Sequence, residues 1–153
     1  MNGIRCVSLV LVPIVLGGCL LGAKAGAFTA DADEAIAVDV SFASAPNVSS
    51  EKYAKLGGGA MIGYGPSLDF AMSKKLASVA EKNGIDNQPE VMGGRTGTNC
   101  DEIQVAGKGI RTALISVPLR NMHTAAEVCD LADIESTAKL IAAYITERGA
   151  ENA

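Results

Sequence analysis

Tryptophan is absent, histidine occurs once, and aromatic residues make up only 4% of the 153 positions. Few rings are therefore available as stacking platforms for bases or sugars. A basic excess is missing too. Thirteen Lys and Arg against seventeen Asp and Glu leave a net charge of −4, which argues against a nucleic-acid partner, since phosphate binding calls for a basic face. The four cysteines (Cys6, Cys19, Cys100, Cys129) form no Cys-x-x-Cys pair. Neither a zinc knuckle nor a dithiol redox motif is written here, and free thiols in a reducing, cytoplasmic setting are the simplest account. Residues 6–16 are apolar, but the run falls short of the roughly 20 residues a membrane-spanning helix needs. Residues 56–66 are rich in glycine yet lack the Gly-Lys-Ser/Thr of a phosphate loop, so a tight turn between extended segments is expected there.

A hydrophobic content of 48% can build one sizeable core, so one domain is expected. Residues 35–43 and 110–117 are rich in Ile, Val, Leu and Ala and predict buried strands, the second ended by Pro118. Residues 66–82 follow a helical period, with Pro66 in the first turn and Asn83-Gly84 as a left-handed cap. A turn of helix is expected over residues 23–29, a short helix over 101–106 and a short strand over 88–92. A last helix places Ile134, Ala138, Ile141 and Ile145 on one face, with Asp130 or Asp133 as its cap. Residues 31–34 predict a solvated polar connector. Together these give an α/β fold whose mixed, largely parallel sheet is flanked by helices.

Residues 1–21 carry two competing expectations. Arg5, a short apolar core and Gly17-Gly18-Cys19 have the shape of an export signal with a lipoprotein box, which would lipidate Cys19. The same β-branched run also suits a buried parallel strand, the favoured account because the chain continues past it into enzyme-like sequence without a linker.

Two residues carry candidate chemistry. Asp39 sits inside an apolar strand, where an ionised carboxylate is costly unless paired with a Lys or Arg or bound to a cation. His123, the sole histidine, lies just past a buried strand, where α/β sheets bind ligands; taken alone, such a histidine is more often structural or on the surface. Between them runs a loop rich in Gly, Thr and Asn, whose Gly97 and Thr98 can approach a ligand closely.

Ala-Val-Asp-Val at residues 37–40, Gly-Thr-Asn at 97–99, and Pro-Leu-Arg-Asn-Met-His-Thr at 118–124 together resemble the M42 metallo-aminopeptidases, also called glutamyl aminopeptidases or endoglucanase M homologues. The similarity runs over roughly residues 22–148 and corresponds to the C-terminal part of a zinc-peptidase-like catalytic domain. It implies that Asp39 and His123 ligate a site that in the family holds two divalent metals, zinc or cobalt. It implies a peptide substrate and a homo-oligomer, or an intact homologous subunit, as partner. Two departures stand out. Asn121 replaces a Tyr, and Leu16 and Gly17 occupy the places of the family's Glu pair, so no catalytic residue is assigned. The expected product is a fragment of a dinuclear aminopeptidase, truncated or frame-disrupted and inactive alone, with at most one partial metal site.

Overall fold

Alternation along residues 34–42 sets the architecture: Ala35 and Ala37 face one side of a sheet, Ile36 and Val38 the other, and both sides are covered. A computed structural model describes residues 19–46 and 53–151; the strand and signal expected within the first 18 residues lie outside these. The elements run α1 (Cys19–Ala30), β1 (Glu34–Phe42), β2 (Ala60–Tyr64), α2 (Phe70–Lys82), β3 (Asn87–Val91), α3 (Cys100–Ile103), β4 (Arg111–Leu119) and α4 (Leu131–Glu151). The sheet order is β1-β4-β2-β3. β1 pairs with β4 and β2 with β3 in parallel, while β2 and β4 run antiparallel. The mixed, largely parallel α/β sheet is thus as expected. One core layer joins Ile36, Ile62 and Ile115 to Leu76 of α2 and Leu140 and Tyr144 of α4. The other joins Ala37 and Leu114 to Ala27 of α1 and Ile103 of α3.

Several expectations are corrected. α1 is a twelve-residue helix rather than a single turn. α2 begins at Phe70, because Asp69 supplies the cap: its carboxylate accepts the Met72 amide at 2.9 Å. Gly84 takes the left-handed conformation at φ +62°, as the Asn-Gly pair predicts. Residues 56–66 contain β2, preceded by Gly59 at φ +88°, whose α-carbon lies so close to the Asp86 carbonyl that any Cβ would collide with it. Pro118 does not end its strand. β4 runs on to Leu119, whose carbonyl accepts from Ala43 of the β1 side. Pro118 therefore faces the opposite flank, where β2 pairs only as far as Ser116 and needs no N–H from it.

The last helix is turned from its expected face. Asp133, Thr137, Leu140, Ile141 and Tyr144 are buried, whereas Ile134 and Ile145 are exposed. Asp130 is the cap, accepting the Ala132 amide at 2.9 Å. Asp133 instead accepts the amides of Gly57 and Gly59 at 2.8 and 2.7 Å, pulling a polar residue into the interior. Glu34 is likewise no part of a solvated connector. It is buried, and it accepts from Arg111, from Arg148 (Nη2 at 2.6 Å, Nε at 3.1 Å) and from the Tyr144 hydroxyl at 3.3 Å.

Candidate metal centre

Because β1 and β4 are parallel neighbours, their carboxyl ends share one edge of the sheet, the edge where α/β folds place ligands. Asp39 stands five residues into β1, opposite Ser116 of β4. Its carboxylate accepts the amide of Val40 at 2.8 Å. Burial lifts the Asp39 carboxyl above the ordinary carboxylate range; the Val40 amide and the nearby His123 imidazole pull it down without overcoming burial. The protein thus supports this charge incompletely, the condition that a bound cation relieves.

His123 comes to the same edge on a loop beyond β4. Arg120 and Val128 close the loop's base by exchanging backbone hydrogen bonds of 2.8 and 3.1 Å. The Arg120 side chain also donates to the carbonyl of Ser44, just beyond β1. Inside the loop a turn links the Thr124 amide to the Asn121 carbonyl at 3.1 Å. Asn121 and His123 both take left-handed backbone, φ +56° and +64°. For a residue with a Cβ that conformation costs on the order of 1–2 kcal/mol, and the carboxylate of Glu127 offsets it by accepting the His123 amide at 2.7 Å. His123 lies near enough to Asp39 to act electrostatically on its carboxylate.

A carboxylate with an imidazole suits zinc or cobalt. The donor count is short: no cluster of three or more His, Cys, Asp or Glu placed to hold a metal occurs among the described residues. Zinc sites generally use three or four protein ligands, so Asp39 and His123 would fall short of a complete site by themselves. Cys100, beneath the edge, adds no donor. Burial above all pushes its thiol up to about 12, leaving it protonated and inert at neutral pH.

Gly97 and Thr98 lie in a loop folded onto its own carboxylate. Asp101, buried in the first turn of α3, accepts the amides of Thr96 and Gly97 at 3.0 and 2.9 Å and the Thr96 hydroxyl at 3.1 Å. Burial would raise the Asp101 carboxyl, but these donors and Arg95 bring it below the ordinary range. The Thr98 hydroxyl is engaged by Thr96 at 2.8 Å and by the Cys100 amide at 3.2 Å. Sequence reasoning passed over one polar pair nearby. Ser116, wholly buried opposite Asp39, donates to Glu90 of β3 at 2.8 Å. A serine within the apolar run of β4 was the available signal. Glu90, Ser41, Met61 and Gln88 line a groove of about 810 Å³ on this side of the sheet.

Comparison with known proteins bears on the family and the fold. The family model described as M42 glutamyl aminopeptidase matches residues 19–140. A lysyl aminopeptidase from Pyrococcus furiosus is 34% identical over 128 residues, covering 84% of this chain and 37% of that protein. Among solved structures, an aminopeptidase from the archaeon Desulfurococcus kamchatkensis superposes with a TM-score of 0.77 at 34% identity, over 84% of this chain and 38% of that one. The TET1 peptidase of Pyrococcus horikoshii, described as assembling into a tetrahedron or a large octahedral shell, gives 0.61 at 32% identity, over 81% and 36%. The chain spans little more than a third of the length of these relatives.

Proposed function

The chain belongs to the M42 glutamyl aminopeptidase family, and from that premise we propose that it supplies the Asp39–His123 part of a dinuclear aminopeptidase centre. The observation that carries this reading is the meeting of those two donors at the carboxyl edge of β1 and β4. Asp39 and His123 would help to hold a divalent cation there, whose Lewis acidity would act on a peptide carbonyl. Asp39 contributes negative charge in a partly desolvated setting, and His123 an imidazole on a turn held by the Thr124 amide. Gly97 and Thr98, in the loop clasped by Asp101, and the groove beside Glu90 are the proposed substrate-facing surfaces. With Leu16 and Gly17 at the places of the family's Glu pair, no general base is assigned to this chain, and the isolated chain is inactive in this reading.

Calorimetric titration with zinc, set beside hydrolysis of aminoacyl-anilide substrates, tests it. The wild-type chain should bind zinc weakly, and His123→Ala and Asp39→Asn should each weaken binding at least tenfold. None of the three should hydrolyse substrate. Equal zinc affinity in all three sinks the half-site, and metal-dependent turnover by the isolated chain overturns its inactivity.

A second reading, docking onto copies of itself or onto intact homologous subunits, is favoured by the outward apolar residues of α4. Leu131 is 79% exposed and Ile134 43%. Sedimentation separates the cases: a monomer at all concentrations that fails to co-purify with a full-length homologue removes this reading.

A further inference from the structure

His123 occupies a turn position that is normally left to glycine, and one carboxylate meets its amide. The base of the loop does not depend on that contact, since Arg120 and Val128 pair through their backbones and Arg120 also reaches the Ser44 carbonyl. Thr124 closes the turn from the other side, its hydroxyl donating to the Asn121 carbonyl at 2.6 Å. Glu127 meets the backbone of His123 itself, through the 2.7 Å bond from the His123 amide to its Oε1. In the Asn121–Thr124 turn His123 is the third residue, where φ +64° is a cost for any residue with a Cβ, and the Glu127 carboxylate adds a hold on that conformation from outside the turn. A change of φ there would swing the imidazole away from the β1 edge.

We propose that Glu127 is the positioning residue for His123: its carboxylate holds the His123 amide, fixes the left-handed backbone and so keeps the imidazole turned toward Asp39. This rests on the assignment of His123 as a metal ligand. Glu127 acts through the backbone of that ligand, as outer-shell partners commonly act through a ring nitrogen.

Because His123 is the only histidine, its imidazole gives one unambiguous NMR signal. Spectra of the wild-type chain, Glu127→Gln and Glu127→Ala would be recorded without metal and during titration with zinc chloride. In Glu127→Ala the coupling constant and Cα shift of His123 should leave their left-handed values, and the zinc dissociation constant read from the imidazole should rise about tenfold. Thermal midpoints should stay within a few degrees, since the loop base is intact. Glu127→Gln keeps an oxygen acceptor and should retain both the backbone signature and an affinity within about threefold of wild type. A left-handed His123 in Glu127→Ala, or unchanged zinc affinity, overturns the proposal. Zinc that leaves the wild-type imidazole unmoved sinks the ligand assignment instead, and the metal-free spectra then still uphold or overturn the hold of Glu127 on His123.

Discussion

At the scale of single residues, two aspartates show how one side-chain type divides into separate roles. Asp39 is raised by burial that one amide and a neighbouring imidazole do not offset; Asp101, also buried, is lowered because backbone amides, a hydroxyl and Arg95 converge on it. The first is a charge that the protein leaves partly unsupported, the second a charge used as a structural clasp. The sequence singled out Asp39, since a carboxylate within Ala-Val-Asp-Val calls for a cationic partner, a Lys or Arg or a bound ion. It hid Asp101, because an acid in a polar loop looks like a solvated face. The clasp has a pH signature. Asp101 is depressed in the folded chain, so its contribution is fully present above the ordinary carboxylate value near 4 and is lost as the pH falls through the folded pKa. Asp101→Asn removes the oxygen that meets Gly97 and Arg95 and should cost about 2 kcal/mol at neutral pH. Urea midpoints should differ clearly at pH 7 and converge toward pH 3; a gap that is constant with pH would show that the clasp does not depend on charge.

At the scale of elements, period was legible and phase was not. Helical spacing placed the last helix correctly and chose the wrong face, because Ile134, Ala138, Ile141 and Ile145 outweigh Asp133 and Thr137 in any apolar count. What turns the helix is a demand made 74 residues away in the sequence. The amides of Gly57 and Gly59 sit in left-handed turns that only glycine tolerates well, and an anionic acceptor must reach them. That requirement is non-local and leaves no mark near Asp133. The same cause explains Pro118, whose missing N–H matters only if a neighbouring strand extends far enough to ask for it. Measured by denaturation, Leu140→Ala should cost about 3 kcal/mol, because Leu140 is fully buried between α4 and the sheet. Ile134→Ala should change stability by no more than about 0.5 kcal/mol. The reverse order would return the helix to the face its pattern suggests.

At the scale of the whole molecule, the sheet has a structural edge and a proposed chemical edge, and β1 runs from one to the other. Glu34 opens β1 and gathers Arg111 from β4 with Tyr144 and Arg148 from α4, fastening the last helix to both strands. Burial first, and then the Glu34 charge, pushes the Tyr144 hydroxyl up to about 12, so it stays a neutral donor to that carboxylate through the physiological range. Asp39 lies five residues further along, about 17 Å at the usual rise of a strand, with His123 beyond the parallel end of β4. The motif resemblance pointed to the proposed chemical edge, because each of its two donors sits in a short contiguous motif. The structural edge was hidden, because its four members come from three elements and each looks like a surface charge or an ordinary aromatic. If the two edges are independent, they can be broken separately. Glu34→Gln leaves Arg148 facing a neutral amide in a buried setting and should lower stability by about 2–4 kcal/mol. Zinc affinity at the far edge should stay within about twofold of wild type, because effects at sites this far apart usually add without coupling. His123→Ala should do the reverse, abolishing zinc binding at nearly unchanged stability, since His123 is exposed. Parallel denaturation and titration of these two variants and their double mutant decides the matter. Loss of zinc affinity in Glu34→Gln would mean that the docking of α4 reaches through β1 to the site, and that the two edges are one device.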